Sequence, residues 1–128
     1  MRGTKTLLTV IASAILGSTA VAAVPATASA GTEDCPRGSF CAWRYTGYRG
    51  DIFRASGDDM YWGNNWINNR DSSWFNNGIS EPGNRDIVAV YTGYYEFGDY
   101  FCLDPGEKMS SSTKFDNRGS SHGWYTWC

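Results

Sequence analysis

From residue 35 onward, apolar and aromatic residues come in short runs, and Gly, Asn, Ser or Asp interrupts them every few positions. No long stretch repeats apolar residues at helical spacing, so the pattern predicts strands joined by polar turns. Phe40–Tyr45, Asp51–Arg54, Ile87–Tyr91 and Tyr95–Leu103 are the strand candidates, being rich in aromatic or β-branched residues. Residues two apart on a strand face the same way, so Ile87, Ala89 and Tyr91 share one side and Val88 and Val90 the other. Both sides are partly apolar, the pattern of a central strand buried between layers. Trp62–Asn69 reads as an ordered loop, because Gly and Asn tolerate left-handed backbone and Asn side chains satisfy nearby peptide groups. Ser80-Glu81-Pro82-Gly83-Asn84 reads as a turn between two halves, too short to link independent domains.

The halves repeat each other. An offset of 48 aligns Trp43 with Tyr91, Gly50 with Gly98, Asp51 with Asp99 and Phe53 with Phe101. The same offset lays Ile67-Asn68-Asn69-Arg70-Asp71-Ser72-Ser73 on Phe115-Asp116-Asn117-Arg118-Gly119-Ser120-Ser121. Two separated blocks at one offset indicate duplication of a unit of about that length. Unit one spans about 35–80 and unit two about 84–128.

Three features change this picture. Arg2 and Lys5, the mostly apolar Leu7–Leu16 and the small residues Ala28-Ser29-Ala30 have the order of a secretory signal peptide. Residues 1–30 are therefore expected to be removed, leaving 31–128 as a single exported domain without stable membrane insertion. Losing Arg2 and Lys5 from 11 basic residues leaves nine against 13 acidic ones, a balance of −4. That balance, with no run of Lys or Arg, excludes the footprint of a nucleic-acid binder. Cys35, Cys41, Cys102 and Cys128 are an even number in a small exported domain, which argues for two disulfides. Three pairings are possible. Cys35–Cys41 with Cys102–Cys128 is preferred, because a turn through Pro36 and Gly38 closes the first bridge easily. The six Trp, eight Tyr and six Phe are expected to fill a core between two sheets. Tyr94, Tyr95, Trp124 and Trp127 are the candidates for an exposed binding surface.

At Trp43-x4-Tyr48-x-Gly50, followed by the serine-ending hexad, the chain resembles a microbial βγ-crystallin domain. The resemblance implies an all-β fold, with two Greek-key units forming one sandwich. It gives Gly50 and Gly98 a structural role in folded hairpins. In the second unit Tyr91 and Gly98 fit the motif, but Glu96 stands at the second aromatic position, where Tyr95 or Phe97 would compensate. The family's calcium motif occurs twice, as Asn68-Asn69-Arg70-Asp71-Ser72-Ser73 and Asp116-Asn117-Arg118-Gly119-Ser120-Ser121. By resemblance, the calcium-binding residues are Asn68, Asn69, Arg70 and Ser72 with Asp116, Asn117, Arg118 and Ser120, for two ions. Ser72 and Ser120 would donate hydroxyl oxygens, Arg70 and Arg118 backbone carbonyls, and Asn69 and Asn117 side-chain oxygens to the partner unit's site. Ser73 and Ser121 would brace the hairpins, and a carbonyl near 44–47 or 92–95 would complete each shell. Calcium accepts such a set of neutral and charged oxygens in flexible geometry.

Cys35-Pro36-Arg37-Gly38-Ser39-Phe40-Cys41 resembles the opening of secreted actinobacterial metallopeptidase inhibitors of crystallin-type fold. Such inhibitors present a rigid loop to the protease cleft, with the reactive bond by a second short disulfide loop in the later half. Cys102 and Cys128 are far apart in sequence, so no reactive bond is assigned; Asp99–Leu103 and Ser110–Lys114 are the candidate loops. Catalysis is the least favoured class. His122 is the only histidine, and Ser120, Ser121 and His122 are explained as the end of the second hexad. Calcium binding with a structural role is the first reading, and inhibition of a secreted metallopeptidase on the same fold is the alternative.

Overall fold

The computed structural model describes residues 31–81 and 83–128; the leader expected over 1–30 lies outside the described residues. Seven strands form among the described residues: β1 (Phe40–Tyr45), β2 (Arg49–Ala55), β3 (Ser73–Asn76), β4 (Ile87–Tyr91), β5 (Tyr100–Leu103), β6 (Lys108–Met109) and β7 (Ser121–Tyr125). β1 and β4 keep their predicted bounds, and β2 begins earlier than expected. The expected Tyr95–Leu103 strand is shortened, because Tyr94–Glu96 coils into a 3-10 turn with Tyr95 and Glu96 at positive φ. β3, β6 and β7 are short and rich in Ser, Asn, Gly or Lys, so no apolar run announces them.

One antiparallel sheet has the order β2-β1-β3-β6 and the other β5-β4-β7. β6 comes from the second half yet pairs with β3, Trp74 opposite Met109. Asp59 of the first half returns the exchange. Its N–H donates to the His122 carbonyl (3.0 Å) and its carbonyl accepts from the His122 N–H (2.9 Å), joining it to the edge of β7. Each half thus lends a segment to the other's sheet, the crossed connection of paired Greek keys. Separating the halves would expose unpaired sheet edges.

The core lies between the sheets. Phe40, Ala42, Phe53 and Trp74 pack against Val88, Val90, Leu103 and Trp124. Val88 and Val90 fill the inner face of β4, which is central as its two-sided pattern predicts. The loop after Asp59 is ordered because it is anchored inside: Trp62 and Ile67 are fully buried. A Trp removes about 200 Å² from water, on the order of 5 kcal/mol. A second cluster of Cys35, Cys41, Trp43 and Phe75 covers the other face of the first sheet. Cys35–Cys41 and Cys102–Cys128 are the disulfides, the preferred pairing. Buried Asn76 ties the halves together. Its Nδ2 donates to the carbonyls of Asp86 (2.9 Å) and Leu103 (2.8 Å), and its Oδ1 accepts from Gly78 N–H (2.8 Å). No helix among the described residues is long and apolar enough to cross a membrane.

Candidate functional site

The 48-residue offset is written into the backbone. Gly47 and Tyr95, Tyr48 and Glu96, Gly50 and Gly98, and Asn69 and Asn117 form matched pairs, all at positive φ. Ser73 Oγ donates to the Tyr45 carbonyl (2.8 Å) and accepts from Tyr48 N–H (3.0 Å). Ser121 Oγ repeats this with the Gly93 carbonyl (2.7 Å) and Glu96 N–H (3.2 Å). A hydroxyl can do both at once, so one side chain holds each folded hairpin against the hexad behind it.

The hexads of the two halves cross. Asn69 N–H donates to the Gly119 carbonyl (2.8 Å), and Asn117 N–H to the Asp71 carbonyl (2.7 Å). This brings Ser72 Oγ to 3.4 Å from Asn117 Oδ1, and Ser120 Oγ to 3.3 Å from Asn69 Oδ1. Two oxygens bound at right angles about 2.4 Å from one calcium ion are about 3.4 Å apart. Asn68 Oδ1 and Asp116 Oδ1 are buried without a hydrogen-bond partner among the described residues. These donors are amides, hydroxyls and one carboxylate. They therefore differ in kind from a cluster of three or more His, Cys, Asp or Glu, and none of those is found among the described residues. Arg70 and Arg118 turn back on their own loops, donating from Nη1 to the carbonyls of Trp66 and Lys114 (3.0 Å each). A cavity of about 690 Å³ opens beside the first hexad, lined by Ser72, Asn117 and Asp116 together with Arg44, Arg49 and Arg70.

The repeat fails at Asp71 and Gly119, and each explains the other. Asp71 is fully buried; its Oδ1 accepts from Gly119 N–H (2.8 Å) and its Oδ2 from Trp74 Nε1 (2.8 Å). A Cβ at position 119 would overlap that carboxylate and Trp62. Burial above all, with Asp116 adding, pushes the Asp71 carboxyl up to about 6, against the lowering pull of its two donors. His122 is buried too. Trp62 Nε1 donates to its Nδ1 (3.1 Å), leaving Nε2–H to donate to the Gly57 carbonyl (2.8 Å). Burial lowers its pKa. Ser121 Oγ is spent on the hairpin, so Ser121 and His122 form no relay.

The hairpins themselves diverge. In the first, Trp43 packs edge-on against Tyr48 (5.2 Å between centroids). In the second, neither Tyr95 nor Phe97 takes Tyr48's place, contrary to expectation: Tyr91 packs against Tyr100 instead (5.4 Å). Burial above all, with Glu96 and Tyr91 adding, raises the pKa of the Tyr125 hydroxyl. Where the first hairpin has Thr46, Gly47 and Arg49, the second has Tyr94, Tyr95 and Phe97, which are 37%, 61% and 70% exposed. Tyr95 N–H donates to the Met60 carbonyl (2.7 Å), and Tyr61 lies against both Tyr94 (4.5 Å) and Tyr95 (5.8 Å). Asn68 Nδ2 donates to the Tyr94 hydroxyl (3.2 Å). The aromatic tip is therefore exposed and clamped. Of the two segments suggested as presented loops, Ser110–Lys114 is a largely exposed turn, but Asp99–Leu103 is mostly β5, an edge strand paired along its length with β4. Of the other two aromatics expected as candidates for an exposed surface, Trp124 is buried and Trp127 exposed.

A model of peptidase inhibitor family I36 matches residues 28–103, more than half of the chain. A search of curated proteins finds no match. Among solved structures, the eye lens βγ-crystallin domain fold matches with a TM-score of 0.60 at 13% identity, covering 81% of this chain and 96% of that one. A βγ-crystallin from Ciona intestinalis gives 0.54 at 19% identity over 68% and 99%. An archaeal βγ-crystallin gives 0.53 at 23% identity over 70% and 99%. At these identities the likeness is one of fold.

Proposed function

The chain belongs to peptidase inhibitor family I36, and from that premise we propose that it is an exported inhibitor that presents the hairpin Tyr94–Phe97 to a metallopeptidase. The protein is non-enzymatic, and family membership moves inhibition ahead of calcium binding. One observation carries the choice of loop: two hairpins of the same backbone differ in what they show to solvent. A left-handed residue with a side chain costs about 1–2 kcal/mol. The first half meets that cost with Gly47, whereas the second places an exposed tyrosine, Tyr95, at the same bend. Strain kept at the surface for no gain in core packing marks a functional segment. Clamping by Met60, Tyr61 and Ser121 lowers the ordering cost when a partner binds, and rigid exposed aromatics are the anchors that dominate interfaces. The test is stoichiometric titration of secreted zinc metallopeptidases with the oxidised protein, with serine peptidases as controls. Tight, saturable inhibition of a metallopeptidase supports the reading. Inhibition of serine peptidases alone would remove the target class, and inhibition of neither would defeat the proposal.

A second reading, calcium held by the crossed hexads, is favoured by the Ser72–Asn117 and Ser120–Asn69 spacings and the partnerless oxygens of Asn68 and Asp116. The residues present fit such an ion: the hydroxyls and amide oxygens would hold it, and it would cross-link the halves and stiffen both hairpins. With so few carboxylates, affinity belongs in the roughly 10⁻⁴–10⁻³ M range of extracellular modules. Calorimetric titration of metal-free 31–128 should show saturable uptake near two ions, lost in Asn69→Ala/Asn117→Ala. A parent that takes up no calcium reduces both hexads to turn structure and leaves the inhibitor reading intact.

A further inference from the structure

On the outer face of the second sheet lies a cavity of about 370 Å³, lined by Ala89, Tyr91, Tyr100, Tyr125, Thr126, Trp127 and Cys128. Strand register builds it. Tyr91 opposes Tyr100, and Ala89 opposes Cys102 on one side and Gly123 on the other, on the face of β4 away from Val88 and Val90. Gly123 lets Tyr125 lie across the sheet, since a Cβ there would meet the tyrosine hydroxyl at 2.7 Å. The Tyr125 and Tyr91 hydroxyls come within 3.2 Å. The Cys102–Cys128 bridge folds the last residues back over this face and makes Trp127 a wall.

We propose that this aromatic cavity is a binding site for a quaternary ammonium group. Four aromatic side chains surround it, and no Lys or Arg lines it. Aromatic faces carry negative potential and attract organic cations, most strongly when several rings share one. Tyr100 and Trp127 are 54% and 78% exposed, so the cage already stands open with its aromatic surface in water. The lining chooses between cations. A primary ammonium brings three N–H donors and needs acceptors for each; of the four side-chain hydroxyls in the walls, those of Tyr91 and Tyr125 are already bonded to each other, which leaves those of Tyr100 and Thr126. A quaternary ammonium has no N–H to satisfy and presents only polarised methyl groups to the rings. This site is separate from the aromatic tip and does not rest on the inhibitor reading.

The test is calorimetric titration of the oxidised protein with choline, with its neutral carbon isostere 3,3-dimethyl-1-butanol, and with a lysine amide blocked at its α-amino group. Choline should bind about tenfold more tightly than the isostere, the fold-change expected from a partly desolvated cation–π contact. It should also bind more tightly than the lysine derivative. Trp127→Ala should lose about tenfold while Trp127→Phe keeps most of the affinity, which separates loss of the ring from loss of the fold. Equal binding of choline and isostere would show a merely apolar pocket and overturn the proposal. So would stronger binding of the lysine derivative, no choline binding by the folded parent, or a Trp127→Ala variant that binds as the parent does.

Discussion

Asp71 carries a proton in the folded protein at a pH where the unfolded chain has lost it. Its carboxyl is raised from 3.8 to about 6, with burial the main cause. A raised carboxyl contributes most to stability below its unfolded value, and that contribution is lost as pH rises through the folded one. The shift corresponds to about 3 kcal/mol in all, of which about 2.4 kcal/mol falls between pH 4 and pH 7. Asp71→Asn removes the titration. It also turns an N–H₂ toward either Trp74 Nε1 or Gly119 N–H, both donors, at a fixed cost of about 1–3 kcal/mol that does not vary with pH. The informative quantity is therefore the difference in unfolding free energy between parent and variant, measured by denaturant titration across this range with chelator present. That difference should fall by about 2.4 kcal/mol as pH rises from 4 to 7. His122 works in the opposite sense: its lowered folded pKa gives stability present above about 6.5 and lost on acidification. The parent's own pH profile is thus partly cancelled, and the variant should lose stability in acid more steeply than the parent does. A difference constant to within about 0.5 kcal/mol would refute the argument. NMR titration of the Asp71 carboxyl carbon gives the same answer if the variant does not fold.

Two further perturbations separate scaffold from surface. Asn76→Ala strands the Asp86 and Leu103 carbonyls and the Gly78 N–H together, so thermal or denaturant unfolding should show a loss of about 3–5 kcal/mol, with the disulfides intact. Tyr95→Gly, the residue's own counterpart in the first half, relieves left-handed strain but gives up the Tyr61 contact and adds unfolded-state freedom, so stability should move by less than about 1 kcal/mol. Inhibition by the same variant should fall about thirtyfold, as for an aromatic anchor worth about 2 kcal/mol; an inhibition constant within twofold of the parent's would remove Tyr95 from the contact.

The duplication was legible because its signal is repetition, which survives even where local propensity is weak. The offset of 48 recurs in the serine braces, in the crossed hexads and in the pairs of positive φ, so the duplication followed from residue identity alone, whereas the paired Greek-key arrangement followed from the resemblance to βγ-crystallins. β3 and β7 were not legible. Ser73-Trp74-Phe75-Asn76 and Ser121-His122-Gly123-Trp124-Tyr125 alternate too briefly, and their sheet membership depends on partners far along the chain. β6 is two residues long and exists only because it meets β3. The Tyr95–Leu103 expectation erred because aromatic residues score as strand formers, whereas here the repeat places Tyr95 where its counterpart is a bending glycine.

That same comparison held the signal for the loop proposed as the presented one. When two halves share a backbone, positions that keep their residue identify what the fold needs: Gly50 and Gly98, Ser73 and Ser121, Asn69 and Asn117. Positions that differ divide by burial. Asp71 against Gly119 is compensated inside, one side chain filling the space the other leaves, and requires no partner outside the molecule. Tyr94, Tyr95 and Phe97 against Thr46, Gly47 and Arg49 are not compensated inside, because the rings remain in water and Tyr95 holds an unfavourable φ. In the free protein the Met60 carbonyl, Tyr61 and Ser121 hold this arrangement, and the proposed inhibitor reading gives the exposed rings a partner to meet. Exchanging Thr46–Arg49 and Tyr94–Phe97 between the halves is accordingly the sharpest internal control. A fold indifferent to which half carries the aromatics, with inhibition lost because the tip has moved to the other end of the pseudo-twofold, would assign the asymmetry to recognition; a protein that fails to fold would return it to the scaffold.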